Sequence, residues 1–259
     1  MMQEIVQKYD KTPFFCILGQ VFVNPTRKGV LVMNKNAAVI FDLDGTLLNT
    51  LPSIRYYVNL ALDHFGIEEI SLDECRRFVG KGARNLLRLS LEAKCAYQDD
   101  NFEEIFDYYN QEYNRDPYYL TEPYEGINDV LLSLKSAGIP MVVVSNKPAI
   151  ATKKCVEYFF DEIFSKVVGG GDYPLKPLPD GTLAAIEEFS SAPRDSLFIG
   201  DSEVDVLTAK AAGCRSIAVL WGFRTFDELK DFAPDTFCSS TSALLPLILS
   251  YLKTDGEGA

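Results

Sequence analysis

Histidine is almost missing from this 259-residue sequence; His64 is the single copy. That scarcity excludes multi-histidine zinc sites and leaves a serine-histidine-aspartate arrangement with one candidate base. His64 sits in YYVNLALDHFGI, which reads as the last turn of an amphipathic helix running into Gly66. The six cysteines (Cys16, Cys75, Cys95, Cys155, Cys214, Cys238) contain no C-x-x-C pair and lie scattered in apolar segments, the pattern of reduced thiols in a cytoplasmic protein. Long apolar runs are missing too. The most apolar N-terminal stretch, Phe14 to Val23, is about half the length of a membrane span. It follows Glu4 and Asp10 rather than a basic start, and no A-x-A-like cleavage site accompanies it, so a soluble, cytoplasmic chain is expected. Basic residues are few, 25 against 37 acidic ones, for a net charge of −12. Phosphate backbones and anionic bilayers repel such a surface, so neither nucleic acid nor membrane is an expected partner. A small anionic substrate must then be met by a local positive charge or a metal.

The length suits one large domain, or a core with a smaller companion. From Ala37 onward, short apolar runs alternate with helical stretches. The runs are AAVIF (37–41), PMVVVS (140–145), KVVGGG (166–171), SLFIGD (196–201) and SIAVLWG (216–222). They are β-branched and apolar without alternation, as strands buried on both faces of a parallel sheet should be. The repeated strand-helix order predicts an α/β fold, a doubly wound parallel sheet built from residues 37–50 and 123–253. Residues 51–122 hold only helical patterns and read as an inserted helical module. Residues 1–36 form an extension whose structure is open, an extra strand pair being one reading and an upstream start before Met33 another; residues 254–259 read as a disordered tail.

The chemistry gathers at strand ends. AAVIF runs into DLDGT, so Asp42 and Asp44 point to one side at a carboxyl end, where open α/β sheets bind ligands. Two carboxylates there need a cation or a proton between them. Gly45 permits a tight turn that exposes amides to an anion, although DLDG alone equally describes an ordinary turn. PMVVVS ends in Ser145 and Asn146, either donors for phosphoryl oxygens or a plain strand exit. Lys176 lies between prolines in PLKPLP, a stiff segment, and is otherwise a solvated lysine. SLFIGD ends in Asp201, a carboxylate ligand or a helix cap, with Asp205 one helical turn further on.

Taken in order, FDLDGTLLNT, VVVSNKP, LKPLPDG and IGDSEVDV resemble the four motifs of the haloacid dehalogenase superfamily of aspartate-nucleophile phosphatases, over residues 38–225. FVGKGARNLL and the later motifs look like the versions carried by its phosphoglycolate phosphatases, whose helical insert is a small cap domain. The resemblance implies that Asp42 attacks phosphorus to form an aspartyl-phosphate and that Asp44 acts first as acid and then as base. It also implies Mg2+ held by Asp42, the Asp44 carbonyl and Asp201, with Asp205 orienting that shell. Gly45, Thr46, Ser145 and Asn146 would hold phosphoryl oxygens, and Lys176 would offset the clustered negative charge. In the cap, Lys81 and Arg84 flank Gly82 and either grip a substrate carboxylate or remain solvated cations. The implied partner is a small phosphorylated metabolite and the implied assembly a monomer or dimer. Pyrophosphate, nucleotides and sugar phosphates fit the same core, and a catalytically silent phosphate-binding protein is the reading from another class.

Overall fold

The computed structural model describes residues 37–189 and 191–254, together with three short N-terminal strands, β1 (Phe15–Ile17), β2 (Gln20–Phe22) and β3 (Val32–Met33). β1 and β2 pair antiparallel, the strand pair considered for this extension; its other residues, and the tail at 255–259, lie outside the described residues. The core strands are β4 (Val39–Phe41), then, beyond the short β5 (Leu48–Asn49) and β6 (Glu122–Pro123), β7 (Met141–Pro148), β8 (Lys166–Gly170), β9 (Leu197–Gly200), β10 (Arg215–Val219) and β11 (Thr236–Cys238). Thr254, assigned from sequence to the tail, instead belongs to β12 (Lys253–Thr254), which pairs with β3.

The six core strands form one parallel sheet in the order β11-β10-β9-β4-β7-β8. The apolar runs dictate this burial. Val39, Phe41, Met141, Val143 and Ile199 face one layer of helices, whereas Ala38, Ile40, Val142, Val144 and Phe198 face the other. The first layer contains α5 (Ile127–Ser136), α6 (Ala149–Phe160) and α9 (Thr241–Leu252); the second contains α7 (Asp180–Glu187) and α8 (Glu203–Ala212). From β4 the chain winds outward through β7 and β8, then returns to β9 and winds the other way. The carboxyl ends of β4 and β9 therefore border the crevice where the winding reverses.

The inserted module is four helices, α1 (Leu51–His64), α2 (Leu72–Phe78), α3 (Ala83–Ala93) and α4 (Asp99–Arg115). α1 ends at His64 as its sequence implies, and His64 stacks on Tyr108 with ring centroids 4.1 Å apart. Leu62, Leu87, Leu91, Ile105 and Tyr109 close a core separate from that of the sheet. β5 and β6, an antiparallel pair that sequence patterning did not reveal, bring together the two chain segments that enter and leave this cap. Among the described residues no helix is long and apolar enough to cross a membrane.

Candidate active site

Asp42 and Asp201 stand at the crevice between β4 and β9, brought there by the strand register. The Asp42 amide donates to the Ile199 carbonyl at 2.9 Å, placing the two strand ends side by side. Asp42 Oδ1 accepts from the Leu43 amide at 2.7 Å and faces Lys176 Nζ at 2.9 Å, while its Oδ2 has no partner among the described residues. Asp201 Oδ1 accepts from the Thr46 hydroxyl at 3.0 Å and Oδ2 from the Phe223 amide at 2.8 Å. Lys176 Nζ also reaches Asp205 Oδ1 at 2.7 Å.

Burial sets the electrostatics. It pushes the Asp42 carboxyl up from 3.8 to about 7, with Lys176 opposing and Asp205 and Asp44 adding to the rise. Asp201 is likewise raised well above the carboxylate range by burial and by its neighbours Asp205 and Asp42. Burial works to strip the Lys176 proton, but Asp205 and Asp42 more than reverse that and keep it charged. Asp42, Asp201 and Asp205 each offer an oxygen within 4.8 Å of the others. Of these three buried carboxylates, Asp42 and Asp205 share one buried ammonium, and Asp205 is already occupied by Lys176 and Ser202. The remaining excess of negative oxygen on Asp42 and Asp201 fits a hard divalent cation.

Several sequence expectations are corrected here. Asp201 does not cap α8; Ser202 does, and Asp205, three residues on, returns a carboxylate to the Ser202 amide at 3.0 Å. Gly45 and Thr46 do not present free amides to an anion, because their N–H groups go to Leu48 O at 2.8 Å and Leu43 O at 3.4 Å. Gly45 is needed for room instead, since a Cβ there would lie 2.3 Å from Asp201 Oδ2. The Asn146 amide is similarly committed: it donates to Gly80 O and Lys176 O, and its carbonyl accepts the Lys176 amide, bracing the lysine loop. Of the four residues expected at the phosphate, Ser145 retains a hydroxyl hydrogen to donate, its oxygen accepting from the Lys147 amide at 3.3 Å.

Lys81 and Arg84 lie outside the cleft. Lys81 is exposed, 3.9 Å from Glu203, and Arg84 pairs with Glu103 over the rings of Phe102 and Phe106. The left-handed turn at Gly82 (φ +87°) starts α3 so that Ala83 and Leu86 face the cleft and Arg84 turns away. Two cations that patterning did not identify do line it. Lys147, fully buried, pairs with Asp44 at 3.0 Å. Arg224 donates to Glu203 and to the cap carbonyls of Arg76 and Val79, sewing the loop after β10 to the cap. With Ile54, Tyr109 and Tyr113 they line the cleft that also holds Asp42 and Asp44.

A doubly wound sheet with an aspartate cluster at its switch point, roofed by a helical insert, defines a class of hydrolase. The family of haloacid dehalogenase-like hydrolases matches residues 39–219, and the chain belongs to it. Among curated proteins it is 33% identical over 217 residues to Phosphoglycolate phosphatase 1 of Pseudomonas aeruginosa, covering 80% of this chain and 78% of the relative. Phosphoglycolate phosphatase of Aquifex aeolicus is 31% identical over 216 residues, covering 83% and 97%. The solved structure of a predicted phosphoglycolate phosphatase from Haemophilus somnus superposes with a TM-score of 0.77 at 27% identity, covering 81% of this chain and 96% of that one.

Proposed function

We propose that this hydrolase is a cytoplasmic, Mg2+-dependent phosphatase that cleaves a small phosphate monoester through an aspartyl-phosphate on Asp42, with phosphoglycolate as the expected substrate. The observation that carries the reading is the buried Asp42–Lys176–Asp205 chain beside Asp44 and Asp201, at the switch point and beneath the helical cap. The unpartnered Oδ2 of Asp42 is the nucleophile: its bond to phosphorus forms as the ester P–O bond breaks, and Asp44 gives its proton to the departing alkoxide. Asp44 then takes a proton from water as the water oxygen bonds to phosphorus and the Asp42–phosphorus bond breaks. Ser145 donates to a phosphoryl oxygen, and Lys176 keeps the Asp42 carboxylate oriented while neutralising charge. Asp42, the Asp44 carbonyl and Asp201 would hold Mg2+, which would supply the positive charge that lets a phosphate dianion enter a cluster of carboxylates. Asp205 acts through Lys176 and Ser202.

The relatives' names point to phosphoglycolate. A panel of phosphoglycolate, pyrophosphate, nucleoside monophosphates and sugar phosphates, assayed on the full chain with Mg2+, tests both levels. Phosphoglycolate should give the highest kcat/KM. A higher value for another ester removes the substrate assignment, and no Mg2+-dependent phosphate release from any compound removes the phosphatase reading.

A further inference from the structure

Lys147 is a buried cation to which the steps above give no task. It closes the buried run Met141 to Lys147 along β7, its carbonyl accepting from the Thr152 hydroxyl at 2.9 Å, so its backbone is fixed by the core. Its side chain is 1% exposed, and its ammonium meets groups from two directions. From the core loop comes Asp44 Oδ1 at 3.0 Å. From the last turns of cap helix α4 comes the Tyr113 hydroxyl, with the Tyr113 ring centroid 4.6 Å from Nζ. Tyr113 is itself buried between Tyr57 and Tyr109. A buried ammonium is costly unless its hydrogens are matched, and here one match belongs to the core and the other to the cap.

We propose that Lys147 is a positioning residue for Asp44, and that Tyr113 makes this positioning conditional on the cap being seated. The inference rests on the phosphatase reading. The contact fixes Asp44 Oδ1 at 3.0 Å from the ammonium, which leaves Oδ2 for the water that attacks the aspartyl-phosphate. The water oxygen bonds to phosphorus, the Asp42–phosphorus bond breaks, and the water proton passes to Asp44 Oδ2, to be given to the next leaving alkoxide. Lys147 neither gains nor loses a proton in the cycle. Because its ammonium is shared with α4, lifting the cap removes one of the contacts that hold the base in place.

A substrate whose leaving group needs no proton separates the two half-reactions. With p-nitrophenyl phosphate and Mg2+, the full-length Lys147→Met variant should release a stoichiometric burst of nitrophenolate at close to the wild-type rate. Its steady-state turnover should then be slower by about 10²-fold or more, the usual worth of a positioned base. Tyr113→Phe, which removes only a hydroxyl, should keep the burst and slow the steady state by a smaller factor; it carries the test should Lys147→Met fail to fold. Burst and steady state falling by the same factor, a change confined to KM, or no change in either variant would overturn the assignment. Wild-type protein that releases phosphate neither from p-nitrophenyl phosphate nor from any ester of the panel would instead overturn the phosphatase reading beneath it.

Discussion

Replacing Asp42 with asparagine should stop turnover and, in metal-free protein, remove a pH-dependent loss of stability. The Asp42 carboxyl has a folded-state pKa of about 7 against an ordinary 3.8, chiefly because it is buried. Between those values the folded chain binds more protons at Asp42 than the unfolded chain, so stability falls as pH rises through this window and levels off above about 7. At 1.36 kcal/mol per pH unit the full shift amounts to about 4 kcal/mol, a ceiling because water and Lys176 relax around the ionised group. Asparagine resembles the protonated acid and does not titrate, and Lys176 keeps Asp205 at 2.7 Å. The readout is the difference between wild-type and Asp42→Asn melting temperatures with chelator present, from about pH 5 to about pH 8. It should move in favour of the variant by about 1 to 4 kcal/mol, several degrees or more for a chain of this size. Parallel curves, or a wild type that gains on the variant with rising pH, would refute the buried-carboxyl argument.

Excess Mg2+ should raise the wild-type melting temperature more at about pH 8 than at about pH 5.5, because a cation and a proton compete for the same carboxylates; calorimetry at both values checks this. Gly222→Ala should cost about 1 to 3 kcal/mol and most of the activity, since its Cβ would fall 2.3 Å from Asp201 Cβ and 2.4 Å from the Gly45 carbonyl. Urea melts and turnover measure both. Arg84→Ala should change stability by less than about 1 kcal/mol and leave KM for phosphoglycolate alone, because its pair with Glu103 is exposed and outside the cleft. A rise in KM specific to phosphoglycolate would restore Arg84 as a carboxylate reader. Arg224→Met leaves the Arg76 and Val79 carbonyls without their donors, at about 1 to 3 kcal/mol each where no water replaces them, so the cap should be cut faster by protease and KM should rise.

Much of this was legible in the chain because the physics is local. Val39 to Phe41 has no polar face, so it had to be a strand covered on both faces, with its carboxyl end at the crevice. β5, β6 and β11 are two or three residues long and carry no periodicity, which is why patterning passed over them. The aspartates could be placed from their motifs, but side-chain bonding could not. Nothing in SNKP distinguishes an asparagine that grips phosphate from one that braces Lys176, nor a solvated lysine from the buried Lys147. The face of α3 depended on one torsion, that of Gly82, and Arg224 lies in a loop whose only signal was its place just beyond a strand.

The most direct test of the central claim is chemical capture at position 42. Full-length enzyme mixed with phosphoglycolate and Mg2+, quenched in acid within a turnover and reduced with borohydride, should yield a peptide in which Asp42 has become homoserine, since reduction of an acyl phosphate leaves the alcohol. Phosphate release accompanied by an unmodified Asp42, together with an active Asp42→Asn variant, would contradict the assignment of Asp42 as the nucleophile.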